Sequence, residues 1–484
     1  MRLRFPRHKF ELFDTVGLDA ETIKVLRALI VAVAYGIVWS NITTGVAITG
    51  YFKELGASDT LYGMVIALPA IANAFQFVCS YLLEKTCKPR KMMLISGFIQ
   101  RLIWIPFALI PFIIPMEFPQ LRLWGAFILA LVSASMAPFM NVAFYTIASD
   151  NVPMRIRGRY FAVRTRVSTF VGLGVGLIVG VLLDRLPGYT AYAVVFTIAG
   201  VFGSLDIASY IRLSESHMDK TERDTPLLKM LLTVLKDKEY MRTVIVLTMW
   251  LFAVQVTSPY NNVYSKSVLG MSNFDIILTG QVASNLFLII LISRWGRAID
   301  TYGNKPILQV SAFLCSLTPL MWVLMPRGFE FVQIFFANAW SGGIYCAVDL
   351  TLQNLFMNKS KPHNRSMYFA VYFLFSQLLG LALGSAVGGM LLDNVLSPVD
   401  ALGITVGAAT ITRYNALFFI GGIMRFAIAI AVLRRLTEEN AQSVPVLLSG
   451  GISHFNHTLF AIKTAHKRRR IRRRLDREEA EGRE

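Results

Sequence analysis

Two places in this 484-residue chain hold residue types and spacings that could do chemistry. The first is Asp349, in the apolar stretch "IYCAVDLTLQNLF" (344–356). A lone carboxylate in such a setting is expensive in lipid, and it can take up a proton or hold a cation through a conformational cycle. The second is "WGRAIDTYGNKP" (295–306), which falls between two long apolar stretches. Gly296 would let two helices approach closely, and Gly303 would permit a tight reversal. Asp300, at a helix end, could meet the positive N-terminus of a neighbouring helix or an Arg from another loop. Other chemistry is missing from the pattern. The apolar stretches contain no nucleophile–base pair or metal cluster, and all six histidines (His8, His217, His363, His454, His457, His466) lie outside them. No GxxxxGK[ST] phosphate loop is present, which excludes an ATP-driven pump of that kind. The chain is therefore expected not to be an enzyme and to need no cofactor. The four cysteines (Cys79, Cys87, Cys315, Cys346) form no CxxC and suggest no disulfide framework.

The elements that position these residues follow from hydropathy. Hydrophobic residues make up 55% of the chain and charged residues 16%, against roughly a quarter charged in soluble domains. Continuous apolar stretches, each long enough to cross a hydrocarbon core of about 30 Å as a helix, recur throughout. They do not alternate as barrel strands would. The expected fold is an all-α polytopic membrane protein. Twelve spans are predicted, at 25–51, 60–83, 92–115, 122–149, 160–183, 189–212, 242–265, 273–294, 306–326, 329–356, 367–392 and 413–434. They group into two pseudo-symmetric six-helix halves, 25–212 and 242–436, flanked by an N-terminal segment (1–24), a polar linker (213–241) and a basic tail (437–484). No cleavable leader is evident at the start, "MRLRFPRHKFELFD".

Lys and Arg orient the spans. Forty of the forty-eight fall in the segments that are cytoplasmic if both termini are, and only Lys53, Arg122, Arg185, Lys266, Arg327 and Arg413 fall in the opposite loops. The net charge of +18 is thus a topology signal, with no nucleic-acid partner implied.

The halves repeat one another. "GRYFAVRTRVSTFVGLGVGLIVGVLLD" (158–184) matches "SMYFAVYFLFSQLLGLALGSAVGGMLLD" (366–393), pairing Gly172, Gly176 and Gly180 with Gly380, Gly384 and Gly388, and Leu183-Asp184 with Leu392-Asp393. Asp349 pairs with Asn141. "SYLLEKTCKPRK" (80–91) is a degenerate copy of the 296–306 stretch, with Ser80 opposite Gly296 and Glu84 opposite Asp300. Duplicated six-helix units are a mark of secondary transporters.

With Gly296, Asp300, Gly303 and Lys305 filling a Gly-xxx-Asp-xx-Gly-x-basic signature, the chain resembles the major facilitator superfamily over about residues 25–436. The resemblance implies alternating access, and a cytoplasmic latch built from Gly296, Asp300, Gly303, Lys305, Glu84, Lys85 and Arg90, with Arg157, Arg159 and Arg365 as counter-charges. Two family patterns are missing. Span four has no Arg before a Gln-Gly pair, and span five lacks the Gly-Pro step of drug antiporters. In the family's fold the first, fourth, seventh and tenth spans line the central path. That makes Tyr35, Trp39, Asn41, Asn141, Gln255, Tyr260, Asn261, Asn262, Asp349 and Gln353 the substrate-binding candidates, with Asp349 also the proton-coupling candidate. Arg101 and Arg425 read as structural or snorkelling charges, with anion binding as the alternative. Asp206 is expected to pair with a cation or to face the cytoplasm.

The sequence "HKRRRIRRR" (466–474) is expected to lie on anionic lipid headgroups. The function expected is secondary active transport of a small polar or amphipathic solute, with a proton or sodium ion as the candidate coupling ion. The expected setting is a monomer in a bacterial inner membrane. The alternatives are a lipid or drug exporter with lateral access, and a non-transporting sensor or assembly factor on the same fold.

Overall fold

A computed structural model describes residues 20–151, 157–211, 227–323, 328–360, 365–406, 409–433, 436, 438 and 442–447. Among these, eleven helices are long and apolar enough to cross a membrane: Leu26–Glu54, Asp59–Leu83, Pro89–Ile113, Pro119–Phe144, Val163–Arg185, Gly188–Ala208, Lys238–Ser267, Asn273–Tyr302, Glu330–Lys359, Met367–Val395 and Arg413–Ile430. The helix Asn304–Met321 stands in the ninth place of the predicted order. It is less apolar because it opens on Asn304-Lys305 and carries Ser311, Ser316 and Thr318, but these are buried. Ser311 and Ser316 donate to the carbonyls of Ile307 and Phe313, so these two hydroxyls turn onto the helix's own backbone. A short antiparallel ribbon, Thr405–Val406 with Ala409–Thr410, precedes the last span.

Each half has its own apolar cores. Tyr51, Phe107, Trp104 and Phe196 form a ring cluster in the first half. Trp250, Leu247, Val348 and Phe356 anchor the second. Between the halves, Val46 packs against Ile276 and Ile277, Ala67 and Ala70 pack against Ala382, and Tyr62 of the first half joins a larger cluster with Val256, Tyr260 and Leu392.

Several spans are interrupted. Span one breaks at Gly45, between Ala20–Thr44 and Val46–Glu54. Span seven breaks between Lys238–Gln255 and Tyr260–Ser267, where Pro259 cannot donate a backbone hydrogen bond. Arg425 adds side-chain donors beside the break: its Nη2 donates to Val254 O at 2.9 Å, and its Nε to Ala253 O at 3.4 Å. Spans eight and eleven carry wider π turns at Leu278–Val282 and Ser376–Ala382.

Three boundaries differ from the sequence expectation. The 295–302 stretch continues span eight as helix through Tyr302, so only Gly303, at φ +91°, makes the reversal. The second part of the linker, Leu227–Leu235, is helical and puts Val234 into the core of the second half, because its apolar face has a groove to fill. The start of the tail is docked on the bundle. Glu438 accepts from Asn304 N at 3.1 Å and from Lys305 N at 2.6 Å, capping a helix N-terminus that lacks a side-chain cap of its own.

Candidate functional site

Two carboxylates close one end of the bundle, called here the Asp59 end. They are the repeat-paired Asp184 and Asp393. Asp393, at the end of span eleven, accepts from Asp59 N at 3.3 Å and Thr60 N at 2.7 Å. Asp184, at the end of span five, accepts from Asn273 N and Phe274 N, both at 2.9 Å. Each therefore takes the first N–H groups of a helix in the opposite half, where the dipole favours an anion. Gly180 permits this approach: a Cβ there would stand 2.9 Å from Phe274 Cα. Asp59 itself is fully buried, and it pairs with Lys53 at 2.5 Å and with Arg413 of the other half at 3.0 Å. Tyr414 donates to the same carboxylate at 2.9 Å.

Below this seal lies a polar cavity of about 250 Å³ walled by both halves. Asn41 comes from span one, Asn262 from span seven, Gly280, Gln281 and Ser284 from span eight, and Asn338 from span ten. Gln281 Nε2 bridges the halves, donating to Asn41 Oδ1 at 2.9 Å and to Gly172 O at 3.2 Å. Ser284 donates to Asn338 O at 3.0 Å. The lining is thus rich in neutral carboxamides, each able to donate and accept.

The other sequence candidates are placed as follows. Asn41 and Asn262 meet in this cavity. Gln281 and Ser284 were missed, because the family resemblance pointed to other spans; the signal available was a Gln and a Ser in an otherwise apolar stretch. Tyr260 is fully buried in the closed end and donates to Ser385 O at 2.6 Å. Asn261 and Gln255 are half-buried beside it on span seven, and Gly384 packs against Gln255. Tyr35 stacks edge-on with Phe202. Asn141 is half-buried in span four. Trp39 faces away from the polar cavity, with the Arg101 guanidinium 3.5 Å from its ring centre. Arg101 pairs with Asp206 at 3.2 Å, both side chains being 5% exposed, so each of these intramembrane charges has an opposite partner.

Asp349 lies eleven residues beyond Asn338 on the same helix, about 16 Å further along the axis. Its carboxylate is exposed and accepts from Gln353 Nε2 at 3.0 Å. It is therefore outside the polar cavity, on the way from it to the Asp300 end. At that end no hydrogen bond or ion pair joins the halves among the described residues. Asp300 is exposed, and no neighbour stands within 4 Å of where a Cβ of Gly296 would be, so the smallness of Gly296 is unused in this conformation. Lys305 gives its backbone N–H to Glu438. Lys85 is exposed, and Arg90 bonds within its own half to Ile211 O. The side chains of Glu84, Arg157, Arg159 and Arg365 lie outside the described residues. Cys87, which stands where the downstream copy has Gly303, is forced into a left-handed conformation at φ +51°.

A bundle of broken apolar helices, sealed at one end around an inter-half polar cavity, is the architecture of an alternating-access carrier. The profile of the Major Facilitator Superfamily matches residues 28–385, and the chain belongs to that superfamily. It is an integral membrane secondary transporter. No curated protein sequence matches the chain. Among solved structures it is similar to a single-site mutant of the nucleoside transporter NupG, with TM-score 0.66, 14% identity, and coverage of 85% of this chain and 100% of that one. The inward-open xylose transporter XylE from E. coli gives 0.63 at 14% identity, covering 88% and 99%. A bacterial homolog of the human lysosomal transporter Spinster, inward-facing and unoccupied, gives 0.58 at 12%, covering 87% and 100%.

Proposed function

We propose that the chain carries a small, uncharged polar solute through the cavity formed by Asn41, Asn262, Gln281, Ser284 and Asn338. The observation behind this reading is that neutral carboxamides from both halves share the cavity wall with Val46, Val179, Ile276 and Ile277, with no charged residue among them. Such groups match hydroxyls and amides, and a charged solute would find no opposite charge among the lining residues. Two of the similar structures are of a nucleoside transporter and a xylose transporter, and solutes of those kinds fit this lining. The charge bias orients the Asp59 end outward and the Asp300 end, with both termini, to the cytoplasm of a bacterial inner membrane. The conformation described is then closed outside. Asp349 lies on the cytoplasmic approach, where it can exchange a proton with solvent and couple the cycle. The basic tail rests on anionic lipid, and the transporter acts as a monomer.

The test is thermal stabilisation of the purified protein against nucleosides, sugars, amino acids, organic acids, amphipathic drugs and lysolipids. A ligand that binds the native state raises its stability. A saturable shift with a neutral polar solute, lost in Gln281→Ala, is the expected result. A shift only with lipids or drugs would replace this reading with the exporter, and binding without flux in vesicles would replace it with the sensor.

A further inference from the structure

A second cavity, of about 210 Å³, lies wholly within the first half, walled by spans one to four. Trp39, Ile48, Val65, Leu68, Trp104 and Ala134 make most of its surface, which is largely apolar. Several of its polar groups are spoken for. Thr43 and Thr44 donate to the carbonyls of Trp39 and Ser40, and Trp104 Nε1 donates to Ser133 Oγ at 3.0 Å. Ser133 in turn donates to the backbone carbonyl of Gln100.

Two are not: Trp39 Nε1, which is buried without a hydrogen-bond partner among the described residues, and the side chain of Gln100. Gln100 is 4% exposed, lines the cavity, and makes no side-chain hydrogen bond among the described residues. A buried carboxamide without a partner costs free energy comparable to a lost hydrogen bond. Water is a poor remedy, since it needs two to four polar partners to settle in an apolar chamber. A cavity of ~150 Å³ with apolar walls stays dry and takes benzene, so this larger one has room for a ring bearing one polar group.

We propose that this cavity is a binding site for a compact amphiphile of phenol type: an aromatic or alicyclic body against Trp39, Leu68 and Trp104, and one hydroxyl on Gln100. The site is separate from the polar cavity and does not depend on the solute proposed for it. Because its walls come from one half, it persists as the halves move. Span one borders both chambers, Trp39 and Thr43 on one and Asn41 on the other, with the break at Gly45 between its two segments. An occupant therefore braces the broken helix that carries Asn41, and modulates transport without competing for the central site.

The probe is 4-bromophenol, whose bromine quenches nearby indoles, with the full chain in lipid nanodiscs. Saturable quenching is expected, and it disappears in Trp39→Phe/Trp104→Phe. Ala134→Leu, which fills the chamber, abolishes it. Gln100→Leu weakens 4-bromophenol about five- to tenfold, to the affinity of bromobenzene, as the loss of one hydrogen bond predicts. Asn41→Ala leaves binding intact. Quenching that rises only linearly, or that is equal in wild type, Ala134→Leu and Gln100→Leu, overturns the proposal. Loss of binding in Asn41→Ala with retention in Gln100→Leu would assign the ligand to the central cavity instead.

Discussion

At the scale of single residues, the intramembrane charges divide by whether they have an opposite partner. Arg101 and Asp206 do, at 3.2 Å and almost without solvent. Asp206→Asn should therefore leave a buried guanidinium uncompensated and lower stability by about 3–5 kcal/mol. Replacing both members, in Arg101→Met/Asp206→Leu, should recover most of the loss. Chemical denaturation of the three proteins reads this directly, and a neutral single variant would show that the pair is solvated after all. Asp349 behaves differently. It has one neutral partner, Gln353, and its side chain is exposed without an ion pair among the described residues, which suits the coupling role proposed for it. Asp349→Asn should remove the pH dependence of solute flux into proteoliposomes, with binding at the carboxamide cavity retained. A pH profile unchanged from wild type would take the coupling role away from this residue. Both acids were visible in the sequence as charges in apolar stretches. The sequence could not reveal that Arg101 supplies the partner of one of them, since the two are 105 positions apart.

At the scale of elements, much of the helix order was legible from hydropathy alone, and the breaks were not. A break at Gly45 or Pro259 depends on what packs around the interrupted backbone, and for span seven that includes Arg425 from a distant helix. The repeat was legible too, down to the paired aspartates, but their job became clear only when each was seen on the N-terminus of an opposing helix. The pairing makes a quantitative expectation possible. An anion at a helix N-terminus in a partly buried setting contributes up to ~2 kcal/mol. Asp184→Asn or Asp393→Asn, which keeps an acceptor oxygen and loses the charge, should shift the balance away from the closed Asp59 end by roughly five- to thirtyfold. Spin-label distances across that end should lengthen in each variant and more so in the double variant. Equal distance distributions in all four proteins would mean that the seal is held by the Asp59–Arg413 cluster alone.

At the scale of the whole molecule, the conformation described explains why the 295–306 signature gave only half its meaning. The stretch is helical to Tyr302, and Gly303 turns the chain at a φ that other residues resist. Yet Gly296, whose size should matter only where helices crowd, has open space around it. Its counterparts in purpose at the closed end do not: a Cβ on Gly180 or Gly389 would press into the backbone of the opposite half. A carrier built from two similar halves must close its second end as it opens its first, and the natural contact there is the one that Gly296 leaves unfilled. Gly296→Val should therefore be silent in this state and obstructive in the other. Thermal stability and solute binding should match wild type, while flux falls at least tenfold and cysteines placed along the Asp300 approach stay accessible throughout turnover. If flux is instead preserved, the glycine is unused in both states, and closure at the Asp300 end must rest on the charges of the loop rather than on close packing of its helices.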